Sequence, residues 1–231
     1  MTLFWAFQNK TNLDISVEWN PLLNERTKKK IIFIHVESFL DAYKHLTEKQ
    51  LGLAEGLTKK SWLTNMIKDE LAELKEGSIP YAGVYINDEI VGFVSCDPAK
   101  PRYNLNETIK NDTFKHDVYI RLLAVKPSKY LFPHYDSSIK ITHPDAIQEK
   151  VADARLPENI RTGLGRHLME SVEKKFDNCN ALTLDTRLIN TGGRKFYESI
   201  GFKFENSKTY SDVNPTHYVG YEKETSHKFK I

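Results

Sequence analysis

Cysteine is scarce in this chain of 231 residues, which has two. Cys96 and Cys179 lie far apart with no C-x-x-C neighbour, which argues against a disulfide framework or a thiolate metal site and leaves two reduced, buried thiols as the expectation. Long apolar runs are also missing. Residues 1–10 carry no basic leader and too short an apolar run for a signal peptide, and no later segment approaches a membrane span; a cytoplasmic protein with no membrane partner is expected. No charge sign dominates either, since 33 Lys and Arg face 31 Asp and Glu, so nothing draws the chain to nucleic acid. The eight His form no H-E-x-x-H pattern and stand as singles, so no metal is expected. No Gly-Lys-Ser or Gly-Lys-Thr is present, which excludes a nucleotide-hydrolysing phosphate loop.

What is present reads as one soluble domain over 1–231, with insertions at about 98–116 and 127–158. Period-two alternation through Leu13, Ile15, Val17 and Trp19 predicts a first strand at 13–19. Helices are predicted over 25–46, with Ile31, Ile34, Phe39, Ala42, Tyr43 and Leu46 inward, and over 59–76, with Trp62, Met66, Ile67, Leu71 and Leu74 inward. Two apolar runs around Asn87-Asp88-Glu89 predict a hairpin of 81–86 and 90–95. A strand follows at 117–125, whose Leu122-Leu123-Ala124-Val125 end reads as buried on both faces. After the second insertion, with a short helix predicted at 142–154, come a helix to about Phe176, a strand at 181–186, a helix at 191–200, and strands at 202–206 and 217–222. Strand, glycine loop, helix, strand is a βαβ crossover, so the strands ending at Val125 and Thr186 should be parallel neighbours. The sheet must then be mixed.

Gly163-Leu164-Gly165-Arg166 opens the amphipathic helix of Leu164, Leu168, Val172 and Phe176. A first helical turn with little side-chain bulk offers backbone N–H groups and the positive end of a dipole to an anion, which suits a phosphorylated cofactor. Alone the pair of glycines is weak, and with Leu168 at the third glycine position the dinucleotide fingerprint is absent.

Taken with Leu122-Leu123-Ala124-Val125 and Pro127, with Leu184-Asp185-Thr186-Arg187, and with Asn190, Phe196-Tyr197 and Gly201-Phe202, this stretch resembles the core of the GNAT superfamily of acetyl-CoA-dependent N-acetyltransferases. The likeness covers residues 117–202. It implies an α/β (α+β) fold with a mixed, mostly antiparallel central sheet, one parallel strand pair splayed at the cofactor site, and flanking helices. Two departures stand out: Ile160 where the family has Gln or Arg, with Arg161 one place on, and the long 127–158 insertion.

By resemblance the cosubstrate is acetyl-CoA. Leu123, Ala124 and Val125 would pair with its pantetheine arm, the amides of Arg161, Thr162, Gly163, Leu164, Gly165 and Arg166 would hold the pyrophosphate, and Asn190 would position the arm or the adjacent backbone. Direct attack of an amine on the thioester requires a neutral amine, a stabilised oxyanion and protonation of the departing thiolate. Tyr197 is the candidate acid, Asp185 the first candidate base, and the Val125 amide a candidate oxyanion donor. A core role for Tyr197, an Asp185 paired with Arg187 or capping backbone, and a water relay in place of a side-chain base remain open alternatives. Tyr119, near the place where some members carry a basic group, is a poor base with an ordinary pKa of about 10. The resemblance implies a small-molecule or peptide amine acceptor, and the sequence does not choose among a small amine, an antibiotic, a peptide N-terminus and a protein lysine; Glu37, Asp41, Tyr43 and residues 130–135 are candidate lining. A non-catalytic CoA-binding sensor or interaction module, transfer of a longer acyl chain, and a homodimer are the alternatives. Lys28-Lys29-Lys30 reads as a solvated face.

Overall fold

The computed structural model describes residues 15–75, 79–98, 117–127, 163–205 and 218–225. Seven strands and four helices follow in the order β1 (Ile15–Trp19), α1 (Glu25–Ala42), α2 (Lys59–Lys75), β2 (Tyr81–Ile86), β3 (Glu89–Asp97), β4 (Val118–Val125), α3 (Leu164–Lys175), β5 (Ala181–Arg187), α4 (Thr191–Ser199), β6 (Lys203–Glu205) and β7 (Tyr218–Glu224). The strands form one sheet in the order β1-β2-β3-β4-β5-β7-β6, antiparallel in the β1–β2, β5–β7 and β6–β7 pairs and parallel between β4 and β5. The mixed sheet and the parallel crossover neighbours are as the sequence predicts. The helix predicted at 142–154 and most of both insertions lie outside the described residues. Among the described residues no helix is long and apolar enough to cross a membrane.

The chain divides into two compact units, one of Met1–Ala72, Ala82–Phe93 and Ala124–Leu168, the other of Glu73–Tyr81, Val94–Leu123 and Met169–Ile231. In the first, Ile15 to Trp19 pair with Ile86 to Ala82. The β2–β3 turn places Asn87 at φ 48° and Asp88 at φ 63°, a left-handed pair that Asn and Asp tolerate and that matches strand twist in a two-residue hairpin. Asn24 starts α1 by accepting the Thr27 N–H at 2.8 Å. Ile31, Ile34 and Val36 are buried as a core stripe, with Tyr43 just past the helix end. Ala42, expected inside, is exposed, because the helix stops there and the chain turns at Tyr43. On α2 the buried stripe is Leu63, Ile67, Leu71 and Leu74, and the expected Trp62 and Met66 are half-buried. Two apolar stripes one residue apart compete on that helix, and packing selects the second.

His35 is the exception in this core. It is 0% exposed, its ring lies 4.6 Å from Phe39 and 6.5 Å from Phe93, and neither ring nitrogen has a hydrogen-bond partner among the described residues. Burial drives its pKa down from 6.5 to about 4. Below pH 6.5 the unfolded chain binds a proton that the folded chain refuses, so stability is complete above that pH and falls as pH drops toward 4. The full loss is on the order of 3 kcal/mol. His35→Leu should flatten this part of the acid limb in urea titrations at pH 7 and pH 4.5, and an unchanged difference between the two pH values would refute the assignment.

In the second unit β5 pairs along its whole length with β7, from Ala181↔Glu224 to Arg187↔Tyr218, and β7 carries the short β6. Both cysteines are free and buried here, matching expectation. The end of β4 does not match. Ala124 alone of residues 122–125 is buried, while Leu122, Leu123 and Val125 are half-exposed. The parallel ladder joins three residue pairs, Val118↔Leu182 to Ile120↔Leu184, and both strands run on past it. A strand end beyond its ladder has less cover for its side chains.

Candidate active site

In the first unit, α3 is set up by Gly163, whose φ of 76° lies where a side chain would be strained. The His167 N–H donates to the Gly163 carbonyl at 3.0 Å, closing the first helical turn. Leu164, Gly165 and Arg166 therefore form the turn whose N–H groups point out along the helix axis, and Gly165 adds no side chain there. Leu164, Leu168, Met169 and Val172 anchor the opposite face, as the spacing predicts. Arg161 and Thr162 lie outside the described residues.

The end of β4 is held by contacts the sequence does not announce. The Ser38 hydroxyl of α1 donates closely to the Val125 carbonyl, and the Lys126 N–H donates to the Val91 carbonyl at 2.6 Å. On β3, a Cβ at Gly92 would stand 2.9 Å from methyls of both Val84 and Val125 and 3.0 Å from the Ala124 carbonyl oxygen. Gly92 is thus the clearance that lets β4 lie where it does.

In the second unit, α4 is capped at both ends. Asn190 precedes it, its side-chain oxygen accepting the Gly193 N–H at 3.0 Å and its amide donating to the Thr186 hydroxyl at 3.1 Å. A Cβ at Gly193 would lie 2.5 Å from the Asn190 amide nitrogen, so the cap needs glycine there. At the other end Gly201 adopts φ 96°, the Phe202 N–H reaches the Tyr197 carbonyl at 3.1 Å and the Gly201 N–H reaches Glu198 at 3.1 Å. This is the Schellman arrangement, and its usual apolar contact is the Tyr197–Phe202 ring pair at 5.8 Å. The spacing of Asn190, Tyr197 and Gly201-Phe202 is in physical terms a helix with both ends specified and a tyrosine fixed at the last turn.

Tyr197 is half-buried beside the rings of Phe196 and Tyr221, at 5.3 Å and 6.0 Å. Desolvation pushes its phenol up to about 12. Among the described residues its hydroxyl has no hydrogen-bond partner. The hydroxyl is therefore a protonated donor across the physiological range, available to a ligand atom. Tyr221 is engaged instead, accepting from Arg194 Nε at 3.1 Å and donating to Glu198 at 2.9 Å.

Asp185 and Tyr119, 66 residues apart, meet across the parallel pair: the Tyr119 hydroxyl donates to Asp185 Oδ2 at 3.2 Å. Tyr119 is buried and Asp185 half-buried, so the carboxylate is reachable where the phenol is not. Of the expected acceptor lining, Tyr43 is a core residue stacked near Phe39 and Trp62, Glu37 and Asp41 are half-buried, with Asp41 3.7 Å from Lys44, and residues 130–135 lie outside the described residues. Among the described residues no three His, Cys, Asp or Glu side chains converge.

No protein-family model and no curated protein sequence matches the chain. Solved structures do. The PaiA N-acetyltransferase from Thermoplasma acidophilum, solved in complex with coenzyme A, aligns with 90% of this chain and 99% of its own at 15% identity and a TM-score of 0.53. A Pyrococcus horikoshii protein aligns over 92% and 99% at 18% identity and a TM-score of 0.51. The apo-form of YjaB from Escherichia coli aligns over 92% and 99% at 13% identity and a TM-score of 0.51. With, among the described residues, a mixed seven-stranded sheet, a parallel β4–β5 pair and four helices, this chain has the GNAT acetyltransferase fold.

Proposed function

We propose that the chain is a cytoplasmic GNAT-family N-acetyltransferase, a single catalytic domain that moves the acetyl group of acetyl-CoA to a primary amine by direct attack. The observation that carries the reading is the Tyr197 hydroxyl, protonated, desolvated and without a partner among the described residues, on the last turn of a helix capped at both ends. The half-exposed end of β4 supports a role for Leu123, Ala124 and Val125 against the pantetheine arm, and the glycine-lined start of α3 supports Gly163 to Arg166 as the diphosphate turn. Arg161 and Thr162 belong to the same proposal. Asn190 acts on the site by holding α4.

The amine nitrogen attacks the thioester carbon, the tetrahedral oxyanion collapses, and the C–S bond breaks to release the thiolate of coenzyme A. The acceptor arrives as an ammonium: Asp185, with Tyr119 steadying the carboxylate, takes the first proton and frees the neutral amine to attack, and the nitrogen then gives up a second proton that ends on sulfur, leaving the product amide its one N–H. A phenol near 12 is a weaker acid than a thiol near 8.5, so Tyr197 serves the departing sulfur as a hydrogen-bond donor more than as a full proton source.

Calorimetry with coenzyme A, and thiol release from acetyl-CoA against a panel of amines, test the whole reading; absence of both binding and release would end it. Binding without release for every amine would favour the sensor alternative. Asp185→Asn should lower kcat/KM by roughly 10²-fold at pH 7. The deficit should shrink by pH 9, where solution supplies more neutral amine; a deficit independent of pH would make Asp185 a structural group.

A further inference from the structure

The basic run at the start of α1 is solvated, Arg26 and Lys29 being exposed, and it also edges a concavity. Arg26, Lys29, Lys30 and Phe33 recur at helical spacing, so they share one side of α1, and they form a wall of a pocket of about 400 Å³. Its volume is that of a small-molecule site. The other wall is Glu89 and Ile90, just past the β2–β3 turn, with Lys126 after β4. The second wall is held at two points, the turn by its two left-handed residues and the Lys126 backbone by its N–H bond to Val91.

The floor is apolar and the rim is cationic. Ile34 and Ile90 are buried beneath the pocket, while Phe33 leaves 43% of its surface exposed. Four cations face two carboxylates. Glu89 is shared between Lys126 at 3.2 Å and Lys30 at 4.0 Å, and Glu25 pairs with Lys28, outside the pocket, at 2.8 Å. Arg26 and Lys29 have no carboxylate partner among the described residues. A concave apolar surface with two uncompensated cations at its edge is complementary to a molecule with an apolar body and an anionic end. Neither a bare ion nor a neutral hydrocarbon uses both parts.

We propose that this pocket binds a small amphipathic organic anion, its apolar body against Phe33 and its phosphate or carboxylate between Arg26 and Lys29. None of these residues is assigned to acetyl-CoA, and the inference stands whether or not the chain transfers acetyl groups. Phenyl phosphate is the probe, titrated into the full chain by calorimetry at low salt, with phenol and inorganic phosphate as its two halves. Phenyl phosphate should bind at least tenfold tighter than either half. Arg26→Glu with Lys29→Glu should weaken it by roughly tenfold or more, since charge-assisted contacts are removed and repulsion added. Phe33→Ala should weaken phenyl phosphate and leave inorganic phosphate unchanged, and saturating coenzyme A should leave the affinity as it was. No binding, equal binding by the charge-reversed chain, or one-for-one displacement by coenzyme A would each overturn the proposal. Failure of coenzyme A itself to bind in the same preparations counts against the acetyltransferase reading and leaves the pocket result standing.

Discussion

Replacing Tyr197 with Phe should lower turnover by roughly 10²- to 10³-fold while leaving the melting temperature within about a degree of the parent. The two halves of this expectation come from the same geometry. The ring makes the packing contacts, with Phe196, Phe202 and Tyr221, and Phe retains all three. The hydroxyl makes no bond within the described residues, so its removal orphans no buried partner and costs folding little. In the proposed reaction its work lies with the departing sulfur. Because burial holds the phenol near 12, it stays protonated to well above pH 9, and the alkaline limb of the parent's rate profile should not be its titration. The residual activity of Tyr197→Phe should therefore keep the parent's pH dependence. Coenzyme A affinity by calorimetry should change less than threefold, since a donor to the leaving sulfur acts chiefly in the transition state. A variant with undiminished turnover would remove Tyr197 from the chemistry.

Substitution of Gly92 by Val should be strongly destabilising. Even the first carbon of a side chain would sit 2.9 Å from methyls on Val84 and Val125 and 3.0 Å from a backbone oxygen, inside the contact distance of real carbon atoms. The neighbours are strand residues and cannot swing aside as a surface side chain would. Gly92→Ala should cost about 1–3 kcal/mol, and Gly92→Val more, through displaced strands and off-rotamer neighbours. For a chain of this size each kcal/mol shifts the melting temperature by about 2–4 °C. Gly192, with nothing within 4 Å of an added Cβ, is the control, and Gly192→Ala should hold or raise stability. If Gly92→Ala folds, its KM for acetyl-CoA should rise, because the strand displaced is the one proposed to hold the pantetheine arm. Melting of Gly92→Val at the parent's temperature would show that β4 has room to move.

Much of the architecture was legible because its determinants are local. Alternation marks β1, the Asn-Asp pair marks the β2–β3 turn, and Gly201 marks the end of α4; the Asn190 cap that starts α4 is equally local, though the structure was needed to recognise it. A cap is a bond between a side chain and an amide three residues away, so the sequence contains both parties. Burial at the end of β4 was misread for the opposite reason. Leu122-Leu123-Ala124-Val125 is apolar enough for a strand covered on both faces, and its half-exposure follows from a ladder with β5 that stops at Ile120↔Leu184. Nothing within β4 records where that ladder ends. On α2 the expected Ile67, Leu71 and Leu74 are buried, and only Trp62 and Met66 are not, Leu63 being covered instead, because the packing neighbours decide which side of the stripe is inside.

By itself the sequence determined the element order, the glycine stop of α4, the glycine opening of α3, the parallel crossover and the likeness that points to acetyl-CoA. Tertiary structure alone decided that Ser38 ties down Val125 across 87 residues, that Tyr119 meets Asp185 across 66, that Gly92 clears a path for β4, and that three cations of α1 face Lys126 over an apolar floor. The division follows from range. Propensity, capping and periodicity act over a few residues and are written where they act, whereas a contact between distant residues depends on the register of every strand between them, which no local pattern carries.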